Sequence, residues 1–236
     1  MLTRNRIPEL MDDPVLDRTA HAEALEGLAR LNRLSGAENL IWRELCQLAK
    51  RTNTKKLRLL DIATGGADVP IALLDRAKDS HLELEVHACD ISEQGLDDAK
   101  RRARKANVSI NFFQFDVTSD IFPTGYDIVI TSLFTHHLEP SQVVHLMAGM
   151  KSASKSLVLI DDLERSFLNL IMVSIGTYML TGSPVARHDG PASVKGSYTR
   201  SEMLELSEAA GLKGAKTYSH FPCRFLMSWL KDKVNE

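Results

Sequence analysis

Leu57-Arg58-Leu59-Leu60-Asp61-Ile62 is an apolar run that breaks into the small residues Ala63-Thr64-Gly65-Gly66-Ala67 and restarts as a helix at Asp68-Val69-Pro70. No other stretch restricts the fold as much. A strand, a nearly bare turn and a helix start let a ligand lie against backbone at the carboxyl end of a parallel strand, where open α/β sheets receive nucleotides. Two further strand-like runs also end in acids. Leu84-Glu85-Val86-His87-Ala88-Cys89 leads into Asp90, and Ile110-Asn111-Phe112-Phe113-Gln114-Phe115 leads into Asp116. One such acid is ordinary as a helix cap or turn residue; three at successive strand ends outline a nucleoside pocket.

The turn chemistry narrows the ligand. A dinucleotide fingerprint places glycines in the pattern G-x-G-x-x-G, the last one packing helix on strand. The aligned positions here are Ala63, Gly65 and Asp68. Asp61 at the head of the turn would repel a pyrophosphate and suits a cationic ligand. Together these residues resemble the class I methyltransferases that use S-adenosylmethionine (SAM), whose first motif runs acid-x-Gly-x-Gly-x-Gly. That motif stands here as Asp61-x-Ala63-x-Gly65-x-Ala67, with only the middle glycine kept. Because alanine disfavours positive φ, the turn is expected to avoid that region at both alanines.

The resemblance covers about residues 56 to 160, and more loosely the rest. It implies that Asp90 bonds both ribose hydroxyls, as an acceptor-only carboxylate can, and that Asp116 bonds the adenine amine. The expected cofactor contacts are Asp61, Ala63, Thr64, Gly65, Asp90, Ile91, Asp116, Val117 and Thr131. Within the superfamily the chain looks most like small-molecule enzymes of the ubiquinone and menaquinone biosynthesis type.

The rest of the chain fits that frame. No strand-like alternation precedes Lys56, and Leu25, Leu28, Leu31, Leu34, Ile41, Leu45 and Leu48 recur at mostly helical steps. We therefore expect a helical cover over 1–53 and a SAM-binding domain over 54–236, with an inserted lid at about 163–198. From Lys56 onward strands and helices alternate, which predicts a Rossmann-like α/β fold. Its seven-stranded sheet is mostly parallel, with an antiparallel last strand closing on a tight connection around Pro222. Thr199-Arg200-Ser201-Glu202 spells a capping box, and Gly211 a helix stop. The apolar run Phe167–Leu180 has 14 residues, too few to span a bilayer. It reads as a buried helix that also walls an apolar substrate site. Ser183 to Tyr198 reads as a long irregular loop.

Composition excludes several partners. A net charge of −2 gives no reason to expect a polyanion, and Lys100-Arg101-Arg102-Ala103-Arg104-Lys105 sits late on a helix, where cations favour the dipole and solvent. No nucleic-acid partner is expected. Cys46, Cys89 and Cys223 are too few and too scattered for a disulfide frame or a zinc site. With no apolar core behind Met1-Leu2-Thr3-Arg4, a cytoplasmic location is expected. A monomer and a homodimer both fit.

Chemistry belongs at the end of the fourth strand, where Thr131-Ser132-Leu133-Phe134-Thr135-His136-His137-Leu138 follows Tyr126-Asp127-Ile128-Val129-Ile130. Methyl transfer from a sulfonium needs alignment and, for a hydroxyl acceptor, a base. His136 and His137 are the candidates, since imidazole titrates near neutrality. The Asn/Asp-Pro-Pro-aromatic stretch common in enzymes that methylate exocyclic amines of bases is missing here. His21, Tyr178, Arg187 and His188 are candidate contacts for a small aromatic acceptor, phenolic or quinol-like. Transfer to oxygen is favoured over carbon; RNA or protein methylation and a noncatalytic SAM-binding partner are the alternatives. The carboxylates of Asp161-Asp162-Leu163-Glu164 sit beside Arg165 without a clear set of further ligands, so no metal is expected.

Overall fold

The computed structural model describes residues 2–13, 15–17, 19–20, 23–24, 26–27, 30 and 35–231. His21, Leu25, Leu28, Leu31 and Leu34, on which sequence expectations rested, lie outside the described residues. Seven strands form one sheet: β1 (Lys56–Ile62), β2 (Glu83–Asp90), β3 (Asn111–Gln114), β4 (Tyr126–Ser132), β5 (Ser154–Leu163), β6 (Lys216–His220) and β7 (Arg224–Leu230). Their spatial order is β3-β2-β1-β4-β5-β7-β6. Pairing is parallel from β3 through β5, and β7 runs antiparallel to both of its neighbours. The Rossmann-like arrangement with a reversed last strand is thus as expected. The order reverses between β1 and β4, which opens a crevice above their carboxyl ends.

The helices are α1 (Ala37–Thr52), α2 (Asp68–Lys78), α3 (Glu93–Lys105), α4 (Pro140–Ala153), α5 (Phe167–Leu180), α6 (Pro184–Gly196) and α7 (Arg200–Ala209). Strand alternation sorts the core into two layers. Leu57 and Leu59 of β1 face Ile41, Leu45 and Leu48 of α1, with Leu73 of α2. Leu60 and Ile62 face the other way, toward Val143, Leu146, Met147 and Met150 of α4 and Met203 of α7. Both faces of the sheet are therefore buried, which explains why its central strands are continuous apolar runs.

Helix α6 corrects the expectation of an irregular loop over 183–198. His188-Asp189-Gly190-Pro191 looks like a breaker, but Ser183 Oγ accepts from Ala186 N at 3.3 Å and Pro184 occupies the first turn. Tertiary packing then holds the helix through Pro191. A Cβ built on Gly190 would lie 2.6 Å from Thr177 Cγ2, so α5 and α6 approach as closely as a glycine permits. The capping box at Thr199 and the left-handed Gly211, with φ +79, are where the sequence puts them.

Candidate active site

One cavity of about 920 Å³ lies over the carboxyl ends of β1, β2 and β4 and contains Asp61, Ala63, Thr64, Gly65, Asp90, Ile91, Asp116 and Val117. Its floor is the turn after β1. Thr64 N donates to Cys89 O at 2.9 Å and Gly65 N to Asp90 Oδ2 at 2.8 Å, tying the turn to the end of β2. A Cβ on Gly65 would meet nothing within 4 Å, so this backbone is open toward the cavity. A Cβ built on Gly66 would run into Arg102, which folds over the turn to pair with Asp68.

The two alanines correct a second expectation. Ala63 and Ala67 both adopt φ +56, the left-handed region they were expected to avoid. Left-handed backbone costs an alanine about 1 kcal/mol or more, and here the flanking hydrogen bonds of the turn and the start of α2 hold it in place. Ala63→Gly is therefore expected to stabilise the fold by about 0.5–1 kcal/mol after the greater entropy of unfolded glycine is discounted. A urea midpoint unchanged or lowered would show that the turn is not strained.

The acids differ in environment. Burial is the main cause that raises the Asp61 pKa to about 7, with a smaller push from Asp90 against a hydrogen bond from Thr64. Its Oδ2 accepts the Thr64 hydroxyl at 2.6 Å. Asp90 accepts from Gly65 N and, through Oδ1, from Ser92 N at 2.9 Å. Ser92 in turn caps α3 by accepting from Gly95 N at 3.0 Å. Asp116 is held below the usual carboxylate range, first by the Thr118 hydroxyl and then by the Thr118 amide. Thr131 does not line the cavity: its Oγ1 donates to Ile62 O at 2.8 Å, stitching β4 to β1. It belongs to the framework rather than to the ligand site.

Across the cavity the loop after β4 passes through Leu133, at φ +53, into a 3-10 turn, Thr135–His137. His136 is buried, and its Nδ1 lies 2.7 Å from Asp162 Oδ1. The chain's own N-terminal segment closes the other side. Asn5 N donates to Lys195 O at 2.9 Å, and Leu10 N and Met11 N donate to the Asp189 carboxylate at 2.8 and 3.0 Å. This strap brings Glu9 Oε1 to 3.4 Å from His136 Nε2 and Asp12 Oδ2 to 3.1 Å from His137 Nδ1. Burial alone would lower the His136 pKa, but Asp162 and then Glu9 outweigh it and raise it to about 10. Asp162 responds reciprocally: burial would raise it, yet the facing imidazolium brings it to about 2.

The remaining wall is apolar, formed by Leu16, Phe134, Leu163, Met172, Val173 and Leu180. Tyr178, Arg187 and His188 are not part of it. Tyr178 is 69% exposed, Arg187 stacks on it at 4.6 Å and donates to Thr181 O, and His188 pairs with Asp189. Tyr178 sits on the outer face of α5, a helix expected to be buried that instead turns Phe167, Leu168 and Met179 to solvent, and Arg187 and His188 sit on the outer face of α6. The run after β5 is also dispersed: Asp161 pairs with Arg224, Glu164 with Arg200 and Arg165 with Glu202.

Sequence comparison matches residues 59–156 to the methyltransferase domain family. Over those residues, from β1 to the start of β5, the chain is similar to a methyltransferase domain. A release factor glutamine methyltransferase from Bacillus anthracis is 28% identical over 97 residues, or 40% of this chain and 33% of that protein. A second, from Bacteroides thetaiotaomicron, is 34% identical over 91 residues. The chain thus spans about one third of the length of the curated relatives it matches. Among solved structures, the plantazolicin methyltransferase BpumL in complex with SAH superimposes with a TM-score of 0.66 at 18% identity, covering 94% of this chain and 92% of that one. These structural likenesses establish a shared fold. The methyltransferase domain supplies the turn and the strand-end acids; the strap and α5–α6 lie outside the matched residues. Among the described residues, no helix is long and apolar enough to cross a membrane.

Proposed function

We propose that the chain is a cytoplasmic SAM-dependent methyltransferase acting on a hydroxyl of a small, largely apolar aromatic acceptor. One observation carries the reading: a bare turn ringed by strand-end carboxylates shares a single cavity with the His136–His137 wall. The residues present fit the cofactor. Open backbone at Gly65 admits close approach, Asp90 and Asp116 offer acceptors for ribose and adenine, and Asp61 offers a countercharge for a cation. When bound, SAM supplies a methyl group carried on a sulfonium centre. Leu163, Met172 and Val173 bury the apolar body of the acceptor, while His137 takes the proton from its hydroxyl and His136, already protonated between Asp162 and Glu9, holds the wall in place. In this reading the strap and α5–α6 would shield the site from water.

Oxygen is favoured over nitrogen because Thr131-Ser132-Leu133-Phe134 lacks the Asn/Asp-Pro-Pro carbonyls that orient an amine. An O-methyltransferase family 2 protein from Planctomyces limnophilus, in complex with apigenin, shares the fold with a TM-score of 0.61 at 17% identity, over 93% of this chain and 63% of that one. That is consistent with a phenolic acceptor.

Calorimetry with SAM and with NAD tests the cofactor; turnover across phenols, quinols and RNA tests the acceptor. Binding of NAD in place of SAM would remove the reading. His137→Ala is expected to slow O-methylation about 10²-fold with SAM affinity unchanged; full turnover in that variant would take the proton step away from the cluster.

Asp61 adds a pH signature. Its folded pKa lies near 7 against 3.8 unfolded, so its ionisation weakens the ligand-free fold as pH rises from about 4 to 7. A cationic ligand favours the carboxylate, so binding is expected to release about half a proton at pH 7 and almost none by pH 9. Calorimetry in buffers of different ionisation enthalpy measures this. Release that does not fall with pH would exclude Asp61 as the source.

A further inference from the structure

We propose that Glu9, His136 and His137 form a binding site for one divalent transition-metal ion of the Zn²⁺/Mn²⁺ class, open toward the acceptor side of the cavity. Their donor atoms all lie within 4.8 Å of one another. His136 Nε2 is 3.4 Å from Glu9 Oε1, and His137 Nε2 is 3.9 Å from Glu9 Oε2. Ligands about 2.1 Å from a common ion sit roughly 3.0–3.5 Å apart, so a small contraction of the cluster completes the set.

The second observation is what lies behind each ring. His136 Nδ1 faces Asp162 Oδ1 at 2.7 Å and His137 Nδ1 faces Asp12 Oδ2 at 3.1 Å. A carboxylate on the far nitrogen fixes the tautomer in which Nδ1 carries the hydrogen and Nε2 presents a lone pair. With an ion bound, both imidazoles would therefore aim lone pairs at the point faced by Glu9, a carboxylate itself oriented by the Ser193 hydroxyl. In the ligand-free chain the His136 ring is protonated between Asp162 and Glu9, so the ion would take the place of that proton, and the His137 ring, its centroid 4.3 Å away, supplies the third donor atom. A single divalent ion satisfies all three at once, and the imidazole–carboxylate donor set selects a borderline metal over Mg²⁺ or Ca²⁺.

The ligands come from two places in the chain. His136 and His137 sit on the loop after β4, and Glu9 sits on the strap. An ion would pin the strap shut. It would also leave coordination positions facing the cavity for the acceptor hydroxyl. There, with His137 engaged on the ion, the O–H bond breaks with its electron pair left on oxygen, and the proton passes to water in place of the ring. This role rests on the O-methyltransferase reading; the ion site itself does not.

The test uses the full chain stripped with chelator and titrated with Zn²⁺, Mn²⁺ and Co²⁺. One ion per chain with micromolar or tighter Zn²⁺ affinity and a Co²⁺ visible spectrum are expected, with at least 10-fold weaker binding in both Glu9→Gln and His137→Asn. SAM binding to each variant reports that it is folded. Absence of saturable binding up to 1 mM of any of the three ions, or binding unchanged in either variant, overturns the site. SAM binding to the stripped wild type separates the two ideas: its loss removes the methyltransferase reading, while its retention without metal binding removes only the ion.

Discussion

Asp162→Asn is expected to destabilise the fold by about 3–5 kcal/mol, the range found when one partner of a buried ion pair is removed. The carboxylate accepts from four donors. Oδ1 faces His136 Nδ1 and Leu163 N, each at 2.7 Å, and Oδ2 faces the Thr135 hydroxyl and His136 N at 3.2 Å. Asparagine keeps the volume but replaces one oxygen with an amide donor. Whichever way it turns, that amide meets two donors and accepts from neither. The surroundings offer no water to absorb the mismatch, since Asp162 is 1% exposed and His136 4%. His136 would also keep only Glu9 as a countercharge on its ring. Urea unfolding followed by circular dichroism measures the change. A loss below about 1 kcal/mol would mean the loop after β4 is held by its backbone bonds, such as Leu133 N to Asp161 O at 2.8 Å, rather than by this pair.

The sequence made the sheet legible because its signals are local. β1, β2 and β5 are apolar runs closed by acids, and α3, α5, α6 and α7 start on Ser or Thr caps, so period and punctuation agree over most of the chain from β1 to α7. The acids that share the cavity were legible for the same reason: Asp61, Asp90 and Asp116 stand at the ends of strand-like runs. What escaped reading depends on distant contacts. Glu9 has no motif around it and reaches His136 only because Asp189 grips the strap from α6. Asp162 looked like one of several clustered carboxylates, and only the alternation of β5 sends it to His136 while Asp161 turns to Arg224. Pro191 misled because its local preference is outweighed by the packing of α6 on α5. A loop over 183–198 would let Arg187 and His188 reach the cavity, whereas the helix holds them on its outer face; Tyr178 points away because α5 exposes the side that carries it. Thr131 was misplaced by one residue, since Ser132 lines the cavity and Thr131 does not.

Asp90→Ala is expected to weaken SAM binding by at least 10²-fold. Two hydroxyl-to-carboxylate hydrogen bonds, each worth about 1.5–3 kcal/mol, would be lost with it. Part of any loss has a different origin, because Asp90 also accepts from Gly65 N and Ser92 N and so shapes the turn. The two contributions separate through the ligand. Against a SAM analogue lacking one ribose hydroxyl, the wild type is expected to lose about 10-fold or more in affinity, whereas the Asp90→Ala variant should bind both ligands equally. Asp116→Ala provides a contrast. Its carboxylate serves Thr118 and faces an adenine amine in this reading, so the variant should weaken binding while keeping the ribose discrimination intact. Calorimetric affinities for the ligand pair decide the matter. If Asp90→Ala still distinguishes the two ligands as strongly as the wild type, the ribose is held elsewhere, and the carboxylate at the end of β2 serves only to brace the turn after β1.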